Sequence, residues 1–109
     1  LIRALEPLEG LEVMRRRRAR PDKGVPGRRD LADEALCRGP GNLSRAMGIT
    51  LRQNRADLCG PELCVEDRGH RVADVAWTSR VGITVGREHQ WRGYGVGSPA
   101  VSAGKATGR

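Results

Sequence analysis

Phenylalanine is absent from these 109 residues, and aromatic side chains of any kind make up only 3% of them. Aromatic rings dominate burial in most cores, so the interior here must rest on Leu, Val, Ile and Ala, with Trp77 and Trp91 as its only large rings. That stock is thin for a chain at the small end of self-sufficient size. It points to one domain at most, and to a piece of a larger one. The opening LIRAL agrees, since it starts without methionine inside what reads as a strand. No run is long and apolar enough to span a membrane. Cysteine is sparse and odd in number, at Cys37, Cys59 and Cys64, with no signal peptide ahead of it. This fits a reducing compartment better than a disulfide framework, and a soluble intracellular protein is expected.

Lysine is the other scarcity, present only at Lys23 and Lys105. Yet Lys and Arg total 20 against 13 Asp and Glu, a formal net charge of +7, so nearly all the positive charge is guanidinium. Such an excess suits a polyanionic partner such as nucleic acid, because the guanidinium fork matches phosphate geometry. A GC-rich coding bias toward Arg, Gly, Ala and Val would produce the same composition.

Along the chain, Leu1 to Leu5 reads as the end of a buried strand, closed by Pro7. Leu8, Leu11 and Met14 then recur at helical spacing, with Glu9 and Glu12 early and Arg15 to Arg18 late, an order that suits the helix dipole. Pro21 stops that helix near Arg20, and the breaker-rich PDKGVPGRRD is a loop. DLADEALC predicts a short helix from Asp30 to Cys37, with Asp30 as N-cap. In RGPGNLSRAMGIT, Gly39-Pro40-Gly41 makes a tight entry, Leu43, Ala46 and Met47 form an apolar stripe, and Gly48 is a natural stop. A turn that feeds the free amides of a helix start in this way is suited to holding a phosphate. Leu51 to Leu58 predicts one or two further helical turns. Past Gly60-Pro61 the pattern changes to short strand-like runs at Glu62 to Asp67, Arg71 to Trp77, Arg80 to Val85 and Gln90 to Val96. Helices first and strands later make an α+β unit, and the tail from Ala103 has nothing to pack against.

Candidate sites compete with plainer readings. Cys59-x4-Cys64, with Cys37 and His70, is a weak zinc pattern, because structural zinc sites use tighter paired knuckles and Cys64 lies in an apolar strand run. His70 and His89 sit in polar loops without a nucleophile partner. Arg15 to Arg20, joined by Arg28, Arg29, Arg38 and the Gly-Pro-Gly entry, forms a candidate backbone-phosphate surface, to which Tyr94 and Trp91 beside Arg87 and Arg92 also fit. Arg3 is the most unusual residue. A charge in an apolar strand is costly unless it faces a carboxylate or a polar cavity, and no partner stands out in this sequence.

Five segments, LIRALEPLEGLEVM (Leu1 to Met14), LCRGPGNLSRAMGIT (Leu36 to Thr50), EDRG (Glu66 to Gly69), RVGI (Arg80 to Ile83) and GSPAVS (Gly97 to Ser102), occur in one order at compatible spacing. Together they resemble the alkyladenine (3-methyladenine, methylpurine) DNA glycosylase family over most of the chain. The resemblance implies a mixed, mostly antiparallel curved sheet flanked by helices. Of that domain this chain would hold the C-terminal part, residues 1–102, with 103–109 a disordered tail. It implies an enzyme that flips a damaged purine out of the duplex and hydrolyses the base–sugar bond with an activated water. Arg3 matches the arginine that positions the water beside the catalytic glutamate, and Val81 the residue whose carbonyl also holds it. Arg18 matches a basic position near the DNA backbone and the Gly39-Pro40-Gly41 turn the place where the family's helix approaches DNA; Arg15 and Asn42 beside them are further candidate DNA-binding residues.

The family's glutamate, base-stacking tyrosine and histidine, and wedge tyrosine would all lie upstream of Leu1. Asn42 replaces a lysine-like residue, and Gly93 and Gly95 interrupt a strand that is therefore expected to be poorly formed. No cofactor or metal is implied. The implied partner is double-stranded DNA containing damaged purines, met by a monomer in the cytoplasm, at the nucleoid of a bacterium, with no role for a membrane. A glycosylase of this kind needs only a general base, a cation to orient the water and a shaped pocket, so the lack of a nucleophile or metal motif is expected. Two other readings stand beside it: a non-catalytic basic nucleic-acid-binding module or remnant, and a zinc-stabilised module.

Overall fold

The computed structural model describes residues 1–102. Helix α1 (Leu11–Ala19) opens at Gly10, whose left-handed backbone (φ 73°) turns the chain into the first turn. Glu12 lies in that first turn and Arg16, Arg17 and Arg18 in the last, the charge order that the helix dipole favours. The helix starts later than the Leu8 periodicity predicts, because the glycine turn intervenes and leaves Leu8 exposed.

The predicted helix from Asp30 to Cys37 is only a 3₁₀ turn, Asp33–Ala35, and Ala32 rather than Asp30 precedes it. An α-helix would spread Leu31, Leu36 and Cys37 around its circumference, whereas all three are buried in one core. The mixed turn brings them to the same side. Helix α2 (Pro40–Met47) follows the sequence pattern closely. Pro40 occupies the first turn, Leu43 and Ala46 are buried, and Gly48 (φ 68°) ends the helix in the left-handed conformation. The predicted helical turns after Thr50 reduce to a 3₁₀ turn, Leu51–Gln53, held by a Thr50–Gln53 capping box.

The core lies where α1, α2 and residues 31–37 meet, with Leu11, Met14, Met47 and Ile49 packed around it. Beyond it, β1 (Val75–Thr78) and β2 (Arg92–Gly95) pair antiparallel, Val75 opposite Gly95 and Trp77 opposite Gly93. β2 lies within the predicted run Gln90 to Val96, and β1 overlaps the run Arg71 to Trp77, extending one residue past it to Thr78. Glu62 to Asp67 and Arg80 to Val85 are not strands. The first makes only the isolated Cys59–Cys64 bridge, which leaves Cys64 exposed rather than inside an apolar run. The second turns through Gly82, with Gly86 just beyond it (φ 73° and 78°). Leu1 to Leu5 also differs from the buried strand expected. Ala4 bridges Arg38 and the Leu5 N–H donates to the Cys37 carbonyl at 3.2 Å, while Leu1 and Ile2 remain exposed. A strand needs a continuous ladder on its flank; among the described residues Leu1 to Leu5 and Glu62 to Asp67 have only isolated bridges, and Arg80 to Val85 has none.

Gly93 does not spoil β2. The Trp77 ring lies across it, so close that a Cβ at Gly93 would stand 2.9 Å from the indole. A large ring laid over a strand glycine restores the packing that the missing side chain forgoes. The fold is α+β, with the helices and core first and a small antiparallel sheet after them. The tail expected to fray lies outside the described residues.

Candidate functional site

Residues 35–38 form a junction that joins the chain start, α1 and the turn at Pro99 to the entry of α2. From the chain start, Ala4 pairs with Arg38 and Leu5 with the Cys37 carbonyl. From α1, Arg18 Nη1 donates to the carbonyls of Ala35 at 3.0 Å and Leu36 at 2.7 Å. From the C-terminal turn, the Pro99 carbonyl accepts from Arg38 Nη2 at 2.6 Å. The junction then runs directly into α2.

At that entry Gly39 has φ 95°, a conformation that side-chain-bearing residues rarely adopt. Pro40 and Gly41 are exposed, and a Cβ added to Gly41 would meet nothing within 4 Å. Asn42 turns its side chain inward, Nδ2 donating to the Arg38 carbonyl at 2.8 Å. Among the described residues the backbone N–H groups of Gly41 and Asn42 have no acceptor. They are the orphan donors of a helix start, and with the dipole they attract an anion.

The two arginines of α1 are placed differently from that entry. Arg15 is engaged by carboxylates, by Glu12 at 3.1 Å and by Asp33. Arg18 is only 4% exposed and faces carbonyls rather than solvent. Burial, then the positive charges of Arg45 and Arg28, push its pKa below the ordinary arginine value. Burial likewise pushes the neighbouring Cys37 thiol up, an effect that Arg18 partly offsets.

Arg3 is exposed, so the burial cost that its sequence setting implies does not arise, and among the described residues it makes no ion pair. Val81 lies in the turn before Gly82, half exposed, and its carbonyl accepts no hydrogen bond among the described residues. No hydrogen bond joins Arg3 to Val81. The sheet beside that turn carries an aromatic and basic surface: His89 stacks on Trp91 at 4.1 Å, Arg80 lies over Trp91 at 5.3 Å, and Arg92 over Tyr94 at 4.5 Å. In the EDRG segment Arg68 clamps Glu66 at 2.7 Å, and that hydrogen bond holds the Glu66 carboxyl below the usual range.

The family model for methylpurine-DNA glycosylase matches residues 1–99. The chain belongs to that family. Two proteins named "Putative 3-methyladenine DNA glycosylase" are similar to it, from Burkholderia lata and Burkholderia cenocepacia, at 46% and 44% identity, each alignment covering 94% of this chain and 46% of the relative. A third so named, from Bradyrhizobium diazoefficiens, is 43% identical over 88% of this chain and 42% of its own length. The chain spans about half the length of the curated relatives it matches.

One surface of this methylpurine-DNA glycosylase family member was not found from its sequence. A groove of about 570 Å³ runs between the C-terminal ends of α1 and α2, lined by Arg17, Arg20, Lys23 and Arg45 with Asp22 as the one carboxylate. Arg17 donates to the Ala46 carbonyl at 3.0 Å and Arg45 to the Arg20 carbonyl, so both cations are held in place. Basic residues in two helix ends were legible, but their meeting across 25 residues of sequence was not. Among the described residues no group of three or more His, Cys, Asp or Glu side chains could hold a metal, and Cys37 instead packs on Met14 at 3.8 Å.

Proposed function

We propose that residues 1–102 form the C-terminal part of a single glycosylase domain, which removes alkylated or deaminated purines from duplex DNA in base-excision repair. In this reading the damaged base is flipped out of the helix, and Arg3 and the Val81 carbonyl orient the water that cleaves the N-glycosidic bond. The general base is a glutamate outside these 109 residues, and no cofactor takes part. The enzyme acts as a monomer, in the cytoplasm at the nucleoid. The free backbone N–H groups of Gly41 and Asn42, presented by the Gly39-Pro40 turn, take a backbone phosphate, Arg15 exchanges a carboxylate for one, and Arg18 braces the junction behind them.

The observation that carries this reading is the junction at residues 35–38, where the Leu1 to Met14, Leu36 to Thr50 and Gly97 to Ser102 segments meet, which sets the Arg3 segment beside the α2 entry. The free guanidinium of Arg3 and the free carbonyl of Val81 support the water role. The test is a chimera in which this chain replaces the matching half of the Burkholderia lata relative. It is expected to release 3-methyladenine, and Arg3→Ala to slow release about a hundredfold with little loss of DNA affinity. The chain alone is expected to release none, because a general base contributes about a hundredfold or more. A folded chimera that binds DNA and cuts equally well with or without Arg3 would sink the assignment.

The basic groove between the helix ends favours a second reading, a module that binds nucleic acid without chemistry. It requires equal affinity for damaged and intact duplex. Charge removal at Arg20 and Lys23 should then lower the slope of log affinity against log salt by about 2. A clear preference for the damaged site counts against it.

A further inference from the structure

Cys59 and Cys64 face each other across an antiparallel bridge closed by Gly60, Pro61, Glu62 and Leu63. The Val65 N–H donates to the Leu58 carbonyl at 2.9 Å, flanking the pair on its outer side. The cysteines therefore occupy a non-hydrogen-bonded position, where facing Cα atoms stand about 4.5 Å apart and side chains approach most closely. A disulfide spans that separation without backbone movement. Both thiols are free and exposed, whereas Cys37 is buried.

The turn is also held in place. Asp57 Oδ1 accepts from the Cys59 N–H at 2.9 Å, and Glu62 Oε1 accepts from Gln53 Nε2 at 3.0 Å and lies 3.8 Å from Arg52. Cys64 Sγ lies 3.7 Å from a Glu66 carboxylate oxygen.

We infer that Cys59 and Cys64 are a dithiol modification site, oxidised to an intramolecular disulfide by small hydroperoxides. One thiolate attacks the hydroperoxide. A sulfur–oxygen bond forms, the oxygen–oxygen bond breaks, and the departing alkoxide takes up a proton. The facing thiolate then attacks the sulfenic sulfur, the sulfur–sulfur bond forms, and hydroxide leaves as water once protonated. Two thiols lose two electrons in all, and the hydroperoxide is reduced to an alcohol and water. A facing partner thus intercepts the sulfenic acid before it reaches the irreversible sulfinic state, and a small dithiol restores the pair. No residue of the proposed water site or α2 entry takes part, so the inference stands apart from the glycosylase reading.

The test is hydrogen peroxide on the full chain, followed by alkylation and peptide mapping. The Ala56 to Arg68 tryptic peptide, which holds both cysteines, is expected to lose two hydrogens. In Cys59→Ser the remaining Cys64 should stop at a sulfenic acid that dimedone traps. In glutathione buffers the disulfide-to-dithiol ratio of the pair should be about tenfold higher or more in the native chain than in urea. Separate sulfenic or glutathione adducts on the native pair, linkage only between molecules, or equal ratios in the native chain and in urea would overturn the inference.

Discussion

Arg18 decides much of the packing while looking, in the sequence, like one more member of a basic run. Its guanidinium is buried without a carboxylate, a costly arrangement that is offset by two carbonyl acceptors at 3.0 and 2.7 Å. Arg18→Met keeps the stem and removes the donors. It should cost about 1–3 kcal/mol in urea unfolding, because the buried Leu36 carbonyl is left unpaired and the Ala35 carbonyl keeps only the Arg38 N–H at 3.4 Å. Cys37 gives a residue-scale test in pH. Its folded pKa is raised by burial, so its contribution is full below the unfolded thiol value of about 8.5 and is lost as pH rises toward the folded value. The stability gap between the native chain and Cys37→Ala should therefore narrow as pH rises above the unfolded thiol value of about 8.5. A gap that stays constant would mean that the thiol ionises alike in both states.

Elements differ in how far their own sequence specifies them. Gly39-Pro40-Gly41 and Gly48 punctuate α2 by backbone conformation, which is local, and the helix lies where those residues put it. A strand is specified by what lies beside it. The runs at Leu1 to Leu5, Glu62 to Asp67 and Arg80 to Val85 have strand-like composition without a ladder partner among the described residues, and so they read alike but fold otherwise. The same limit applies to the candidate site. The Gly-Pro-Gly entry was legible as a motif, whereas the burial of Arg18 and the engagement of Arg15 by Asp33 depend on contacts distant in sequence. β2 adds a case in which the sequence misleads, since its glycines read as a weakness until Trp77 is seen lying across Gly93. Gly93→Val should cost about 1–3 kcal/mol in urea unfolding by driving the indole off the strand. A substitution without effect would show that the ring contributes nothing there.

At the scale of the whole molecule, apolar surface outweighs the core that could hide it. Among the described residues six hydrophobic ones are buried, while Leu1, Ile2, Leu8, Leu51, Val85, Trp77 and Trp91 are among those more than half exposed. The radius of gyration, 15.3 Å, exceeds the roughly 13 Å of a compact domain of this length. Both features accord with the proposal that the glycosylase domain extends beyond these residues. The bond from Arg38 to the Pro99 carbonyl spans 61 positions of sequence and joins the helical core to the turn that follows the sheet. Two regions tied by so few long-range links open by separate local fluctuations. In heavy water the backbone amides of β1 should therefore pick up deuterium well before those of Leu43 and Ala46, and uniform uptake would contradict that division. On that expectation the molecule breathes at its sheet while its helices stay closed.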